Sequence, residues 1–264
     1  MSLLAADVTL IHMIPGYAAL DAKLAHMFGM TYVDKEPVHT VIHLTLSLLA
    51  IAFIGLLVMV TRVSWAKSQN NAIPGNAFSI PNVVETLMDG VLGLGEQVLG
   101  TRKEAERFFP LIGALAFYIL FHNLLGLVPG MLPPTDTLNV TLGPAIVIFL
   151  VTHYVGLKAQ GTDYILHFLG PKIGGVYLLA PLMVLIELIS HAVRPVSLAL
   201  RLMGNMTGDH KVIALFLGLV AVPLFYPVPV LALGTIVCTV QTLVFCLLSL
   251  VYIALAIEHS DEAH

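Results

Sequence analysis

The sequence predicts an all-α polytopic membrane protein: about five transmembrane helices plus one interfacial amphipathic helix, with the last two helices long, tilted and packed as a hairpin. Three observations predict it. Of the 264 residues 58% are hydrophobic and only 11% charged, against about 25% charged in a soluble domain. The mean hydropathy is +0.94. The apolar residues fall into runs long enough to cross a bilayer core about 30 Å thick, which takes roughly 20 helical residues. The formal charge of −4, with no polybasic run, excludes a nucleic-acid binder. The hydropathy excludes a water-soluble enzyme and a disordered chain. Cys238 and Cys246 both lie inside an apolar run, which argues against a disulfide framework or a thiolate metal site.

A single membrane domain is expected over 1–264. Residues 1–38 read as an outer segment, and their start lacks the basic region of a secretory signal. The first span is 41–61, closed by Arg62 and Lys67 and followed by the polar linker Ser68–Asn76. Over 79–100, Ile80, Val83, Val84, Leu87, Val91, Leu94 and Val98 recur at helical spacing opposite Glu85, Asp89 and Glu96. That pattern is an interfacial helix. Its charges are acidic, so it is expected to pack on other helices or on a partner rather than on anionic lipid.

The second span, 108–129, is entered from Arg102, Lys103 and Arg107 and left through the breaker-rich loop Pro129–Thr137. The third, 140–157, ends before Lys158. The stretch 173–220 would be roughly 70 Å long as one helix, so it must tilt or break, and Pro181 and Pro195 offer kinks. Pro223, Pro227 and Pro229 force a turn into the last tilted helix, 228–258. Lys23 and Lys35 precede the first span, whereas Arg62, Lys67, Arg102, Lys103, Arg107, Lys158 and Lys172 fall on the other side of alternating spans. The N-terminus is therefore expected outside and the C-terminus in the cytoplasm.

Charge inside a membrane is costly and marks function by default. Here it is concentrated in ELISHAVRPVSLALRLMGNMTGDHK, which carries Glu187, His191, Arg194, Arg201, Asp209, His210 and Lys211, and no Asp, Glu, Lys or Arg follows until Glu258. At about 100° per residue, Glu187, Ser190, Arg194, Ser197, Arg201, Asn205 and Gly208 share one line along a straight helix. Such a stripe lines a water path or meets another protein surface. An inert stripe, with Glu187 pairing Arg194, would place that charge where neutral residues pack at lower cost. Arg201 has no acidic residue three or four places away and does not give up its proton. The other spans supply only His43, His122 and His153, so a partner's carboxylate is the expected counter-ion. On the last span Gly234, Thr235, Cys238, Thr239, Gln241, Thr242, Cys246 and Ser249 form a small, polar face, from which Gln241 can reach the stripe.

Two other classes compete. A standalone secondary transporter with a midplane charged site would show two corresponding halves with broken helices, and the chain has one unpaired stripe. A haem protein would use His122 and His153 as facing ligands, which leaves the stripe unexplained. His39 and His43, one turn apart near the outer interface, are expected to be simply hydrated. No dinucleotide fingerprint, Walker loop, His-Glu-x-x-His or nucleophile elbow is present, and no cofactor is expected.

ELISHAVRPVSLALRLMGNM, with HNLLGLVPG, TDTLNVT and VQTLVFCLLSLVYIALAIEH, resembles subunit a of the F-type ATP synthase over about Ile73 to His259, with the elements in the same order. The resemblance implies a non-catalytic, ion-translocating subunit whose partners are the c-subunit ring, the peripheral-stalk b subunits and the other synthase subunits in a lipid bilayer. It implies two half-channels, with Arg201 between them drawing in each ring carboxylate. Asn205 and Gln241 match polar positions near that arginine, Glu187 and Ser190 match the cytoplasmic half-channel, and Asn123, Asp136 and Asn139 match the outer side. Where the family commonly has an acidic residue and a histidine, this chain has His210 and Gly234. Asp209 or Asp136 is expected to replace the missing carboxylate. The resemblance leaves open whether H⁺ or Na⁺ is carried.

Overall fold

A computed structural model describes Tyr17, Ala19, Lys23 and residues 42–67, 79–128, 131, 133–161, 180–219 and 227–258. Most of the outer segment 1–38, the linker Ser68–Asn76, residues 173–179 of the long segment and the turn at Pro223 lie outside them. The described residues form an all-α chain. Its helices are α1 (Ile42–Lys67), α2 (Ile80–Leu99), α3 (Arg102–Leu125), α4 (Leu138–Gln160), α5 (Ala180–Leu219) and α6 (Pro227–Glu258), with a 3-10 turn at Pro134–Asp136 before α4.

Among these, α1, α3, α4, α5 and α6 are long and apolar enough to cross a bilayer, and α2 is not. Their surfaces agree with lipid as the solvent. On α1 the side chains of Leu44, Leu48, Ile51, Phe53 and Leu56 are exposed, and contiguous apolar exposure on this scale marks a membrane-facing surface. The buried hydroxyl of Thr61 is satisfied within α1 by bonds to the carbonyls of Leu57 (3.0 Å) and Val58 (2.9 Å).

Helix α3 starts at Arg102, earlier than hydropathy places the second span. The added turn is held by local ion pairs, Arg102–Glu106 at 3.0 Å and Glu104–Arg107 at 3.3 Å, which a hydropathy window counts as polar. It ends at Leu125 because the chain folds tightly onto Pro133: a Cβ at Gly126 would lie 2.5 Å from Pro133 Cβ. Pro110, Pro144 and Pro195 are carried inside α3, α4 and α5 without ending them. Membrane helices tolerate this because neighbouring groups and local adjustments re-satisfy the freed backbone carbonyls.

The chain divides into two compact units. The first joins Met1–Val84, Phe117–Val140 and Met203–Gln241, and its core includes Leu46, Ile119, His122, Asn123, Met206 and Cys238. The second joins Glu85–Ala116, Thr141–Leu202 and Thr242–His264 around Ile112, Ile148, Leu198, Phe245, Leu250 and Ile253. In the second unit α2 packs through a glycine: Gly95 is buried, and a Cβ there would stand 3.3 Å from Ala105 Cβ and 3.9 Å from a methyl of Leu250. That contact supplies the helix-on-helix support expected of an acidic interfacial helix.

Candidate functional site

The stripe is carried by one continuous helix. Along α5, Glu187, Arg194 and Ser197 are half-buried, whereas Ser190, Arg201, Asn205 and Gly208 are exposed. The two arginines have different surroundings. The Arg194 guanidinium sits over the Tyr252 ring of α6, 5.5 Å from its centroid, a cation–π contact that keeps a charge inside the fold. Arg201 is exposed beside exposed Leu200 and buried Leu202, and among the described residues no carboxylate lies within ion-pairing distance of it.

Glu187 takes neither arginine as its partner. Its carboxylate is 3.5 Å from His191 Nε2, one turn along the same helix. The Glu187–Arg194 pairing that an inert stripe would use is replaced, because one helical turn brings a four-residue spacing closer than two turns bring seven.

Asn205 and Gln241 meet across α5 and α6 in the first unit, Asn205 Nδ2 donating to Gln241 Oε1 at 2.5 Å. Gln241 is 3% exposed, and its Nε2 is buried with no hydrogen-bond partner among the described residues. Asp209 is half-buried, and His210 lies within the helix with its side chain outside the described set.

A second polar group gathers in the first unit. Asn123, 1% exposed, accepts a hydrogen bond from Thr135 Oγ1 at 2.8 Å, and its buried Nδ2 has no hydrogen-bond partner among the described residues. Next to Thr135, Asp136 Oδ1 is 3.2 Å from His43 Nδ1 of α1. The expectation that His43 is merely hydrated therefore needs correcting: the 3-10 turn folds a carboxylate onto it. Nothing in local sequence signals a pairing across so many residues. Asn139, at the start of α4, is exposed and makes no side-chain hydrogen bond among the described residues.

The two histidines weighed as haem ligands each have protein partners. His122 Nδ1 donates to Tyr118 O at 2.7 Å, so its Nε2 accepts from the Ser47 hydroxyl at 2.9 Å. His153 Nδ1 donates to Phe149 O at 2.9 Å, and its ring stands edge-on to that of His191. Among the described residues no group of three or more His, Cys, Asp or Glu is arranged to hold a metal ion.

The sequence profile of the family described as ATP synthase A chain matches residues 42–254. The chain is 42% identical over 243 residues to ATP synthase subunit a of Sorangium cellulosum, covering 90% of this chain and 91% of that one. It is 41% identical over 234 residues to ATP synthase subunit a of Bdellovibrio bacteriovorus, covering 88% and 98%. The subunit a of Trichlorobacter lovleyi is 44% identical over 185 residues, 70% of this chain and 76% of that one. With a family match across the spans and relatives aligned over most of their length, the chain belongs to the ATP synthase A chain family, subunit a of the F-type ATP synthases.

Proposed function

We propose that this chain is the ion-translocating channel subunit of its synthase, carrying protons to and from carboxylates on a c-subunit ring and performing no phosphoryl chemistry itself. The observation that carries the reading is Arg201: a permanently charged side chain, exposed on an apolar 28-residue span, with no carboxylate in pairing distance among the described residues. A cation in that setting draws in an acidic group from a partner. Ring carboxylates supply one, and each would be attracted in its deprotonated form and released on protonation. Because the guanidinium keeps its own proton, it also separates two half-channels and prevents ions passing directly between them.

In this reading Asn205 and Gln241 flank the arginine. Glu187 and Ser190 serve the cytoplasmic half-channel, while Asn123, Asp136 and Asn139 serve the outer one, with His210 and Asp209 at its mouth. The peripheral-stalk b subunits hold the chain against the rotating ring. The N-terminus lies outside the bacterial inner membrane and the C-terminus in the cytoplasm, supported by the clustering of Arg62, Lys67, Arg102, Lys103, Arg107 and Lys158 on one side of alternating spans. Replacement of Arg201 in the complete synthase tests the reading. Arg201→Ala abolishes synthesis driven by an ion gradient while the complex still assembles, and Arg201→Lys fails as well because a lysine held out of water in a membrane span can deprotonate, as a guanidinium cannot. Full gradient-driven synthesis by the lysine variant overturns it.

A further inference from the structure

Two histidines of the second unit have no place in the functional reading so far, and they lie beside its cytoplasmic carboxylate. His191 Nε2 is 3.5 Å from Glu187 Oε1. The His191 ring meets that of His153, on α4, edge to face with centroids 5.0 Å apart. Since His153 Nδ1 donates to Phe149 O, Nε2 is its basic nitrogen. Next to His153 is a cavity of about 20 Å³, lined by Thr152, His153, Arg194 and Tyr252 among apolar side chains such as Leu198. That is room for one water, which needs polar partners of the kind these four residues offer.

A carboxylate and two imidazoles so close together inside membrane spans are costly as packing, since aliphatic side chains fill the same volume without a desolvation penalty. Imidazole also titrates near neutral pH and exchanges protons through two nitrogens. Among the described residues, charged and titratable groups near the pair include Glu187 and Arg194 on α5 and Tyr252 on α6.

We propose that Glu187, His191 and His153 form a proton relay that connects the charged stripe to the Lys158 end of α4. The inference rests on the half-channel reading of Glu187. A proton leaves the Glu187 carboxyl for His191, crosses the ring contact to His153 Nε2, and passes through a water in the cavity beside His153 to solvent. At every step one O–H or N–H bond breaks as the next forms, and the relay regains its starting charge after each proton delivered.

The experiment uses the complete synthase in inverted vesicles, with ATP-driven proton pumping followed against pH for His153→Gln, His191→Gln, Glu187→Gln and Arg201→Ala. Each histidine variant is expected to slow pumping at least about threefold and to flatten the pH profile in the imidazole range, because an amide has no titrating proton. Added imidazole is expected to restore pumping in His153→Ala, a rescue that a structural histidine would not show. Wild-type rates and profiles in both histidine variants, with Glu187→Gln slow, overturn the relay and leave the half-channel reading intact. Undiminished pumping by Arg201→Ala overturns that reading itself, and the relay with it. If neither His153→Gln nor His153→Asn yields complexes with a normal content of the subunit, the histidine is a packing residue and the proposal is rejected.

Discussion

Asn205 of α5 and Gln241 of α6 are joined by a side-chain hydrogen bond, with Nδ2 donating to Oε1 at 2.5 Å. It ties the helix that carries the stripe to the small-residue face of the last helix. Interhelical hydrogen bonds in membranes contribute only about 0.6 kcal/mol on average, so its role is positional rather than a large stabilisation. A double-mutant cycle with Asn205→Leu and Gln241→Leu should return a coupling of about 0.6 kcal/mol, within the roughly 0.5–3 kcal/mol found for contacting residues. The cycle is read from thermal unfolding of the purified complex. Strict additivity of the two changes would show that the bond does not hold the helices together.

The end of α3 makes a steric prediction. Gly126 N donates to Asn123 O at 3.1 Å as the helix closes, and a Cβ at Gly126 would lie 2.5 Å from Pro133 Cβ and 3.0 Å from its Cγ and Cδ. A proline ring cannot swing aside. Gly126→Ala should therefore destabilise the subunit by about 1–3 kcal/mol, the usual cost of overpacking. Because the displaced turn carries Thr135, it should also disturb the buried Asn123. Adding Pro133→Ala should recover much of the loss, measured as the amount of the subunit retained in the assembled complex. No recovery would place the strain elsewhere.

The resemblance puts His210 where an acidic residue is expected, and α5 continues unbroken past it to Leu219. If it relays protons on the outer side, His210→Ala should cut gradient-driven ATP synthesis strongly across about pH 6 to 8, the range in which an unperturbed imidazole titrates. Assembly should be unchanged, since a residue late in a helix of 40 residues contributes little to its formation. Wild-type synthesis rates in the variant would move the relay to Asp209 or Asp136, and the half-buried Asp136 beside His43 is then the first carboxylate to replace.

Much of this protein was legible without coordinates. Bilayer thickness imposes a length on every span, and the cost of charge in lipid makes the run from Glu187 to Lys211 conspicuous. Both are one-dimensional constraints, acting on composition within a window, so the number of apolar helices, the interfacial character of α2 and the isolation of Arg201 could be read directly. Helical periodicity added which residues share a line on α5, because that depends only on the turn angle.

Pairings between helices depend on rotation and depth, which hydropathy does not encode. Only the tertiary structure brought Asp136 to His43, joined His191 to His153, which lines a water-sized cavity, and set Arg194 over Tyr252. The same holds for Glu187, whose choice of His191 over Arg194 is decided by side-chain direction within the helix as well as by spacing. Gly126 reads in sequence as one more loop glycine, and its need for a missing side chain follows from where Pro133 is folded. Lipid acts on each residue singly and so writes itself into the sequence, whereas a polar contact needs two groups at one place, which the folded chain alone provides.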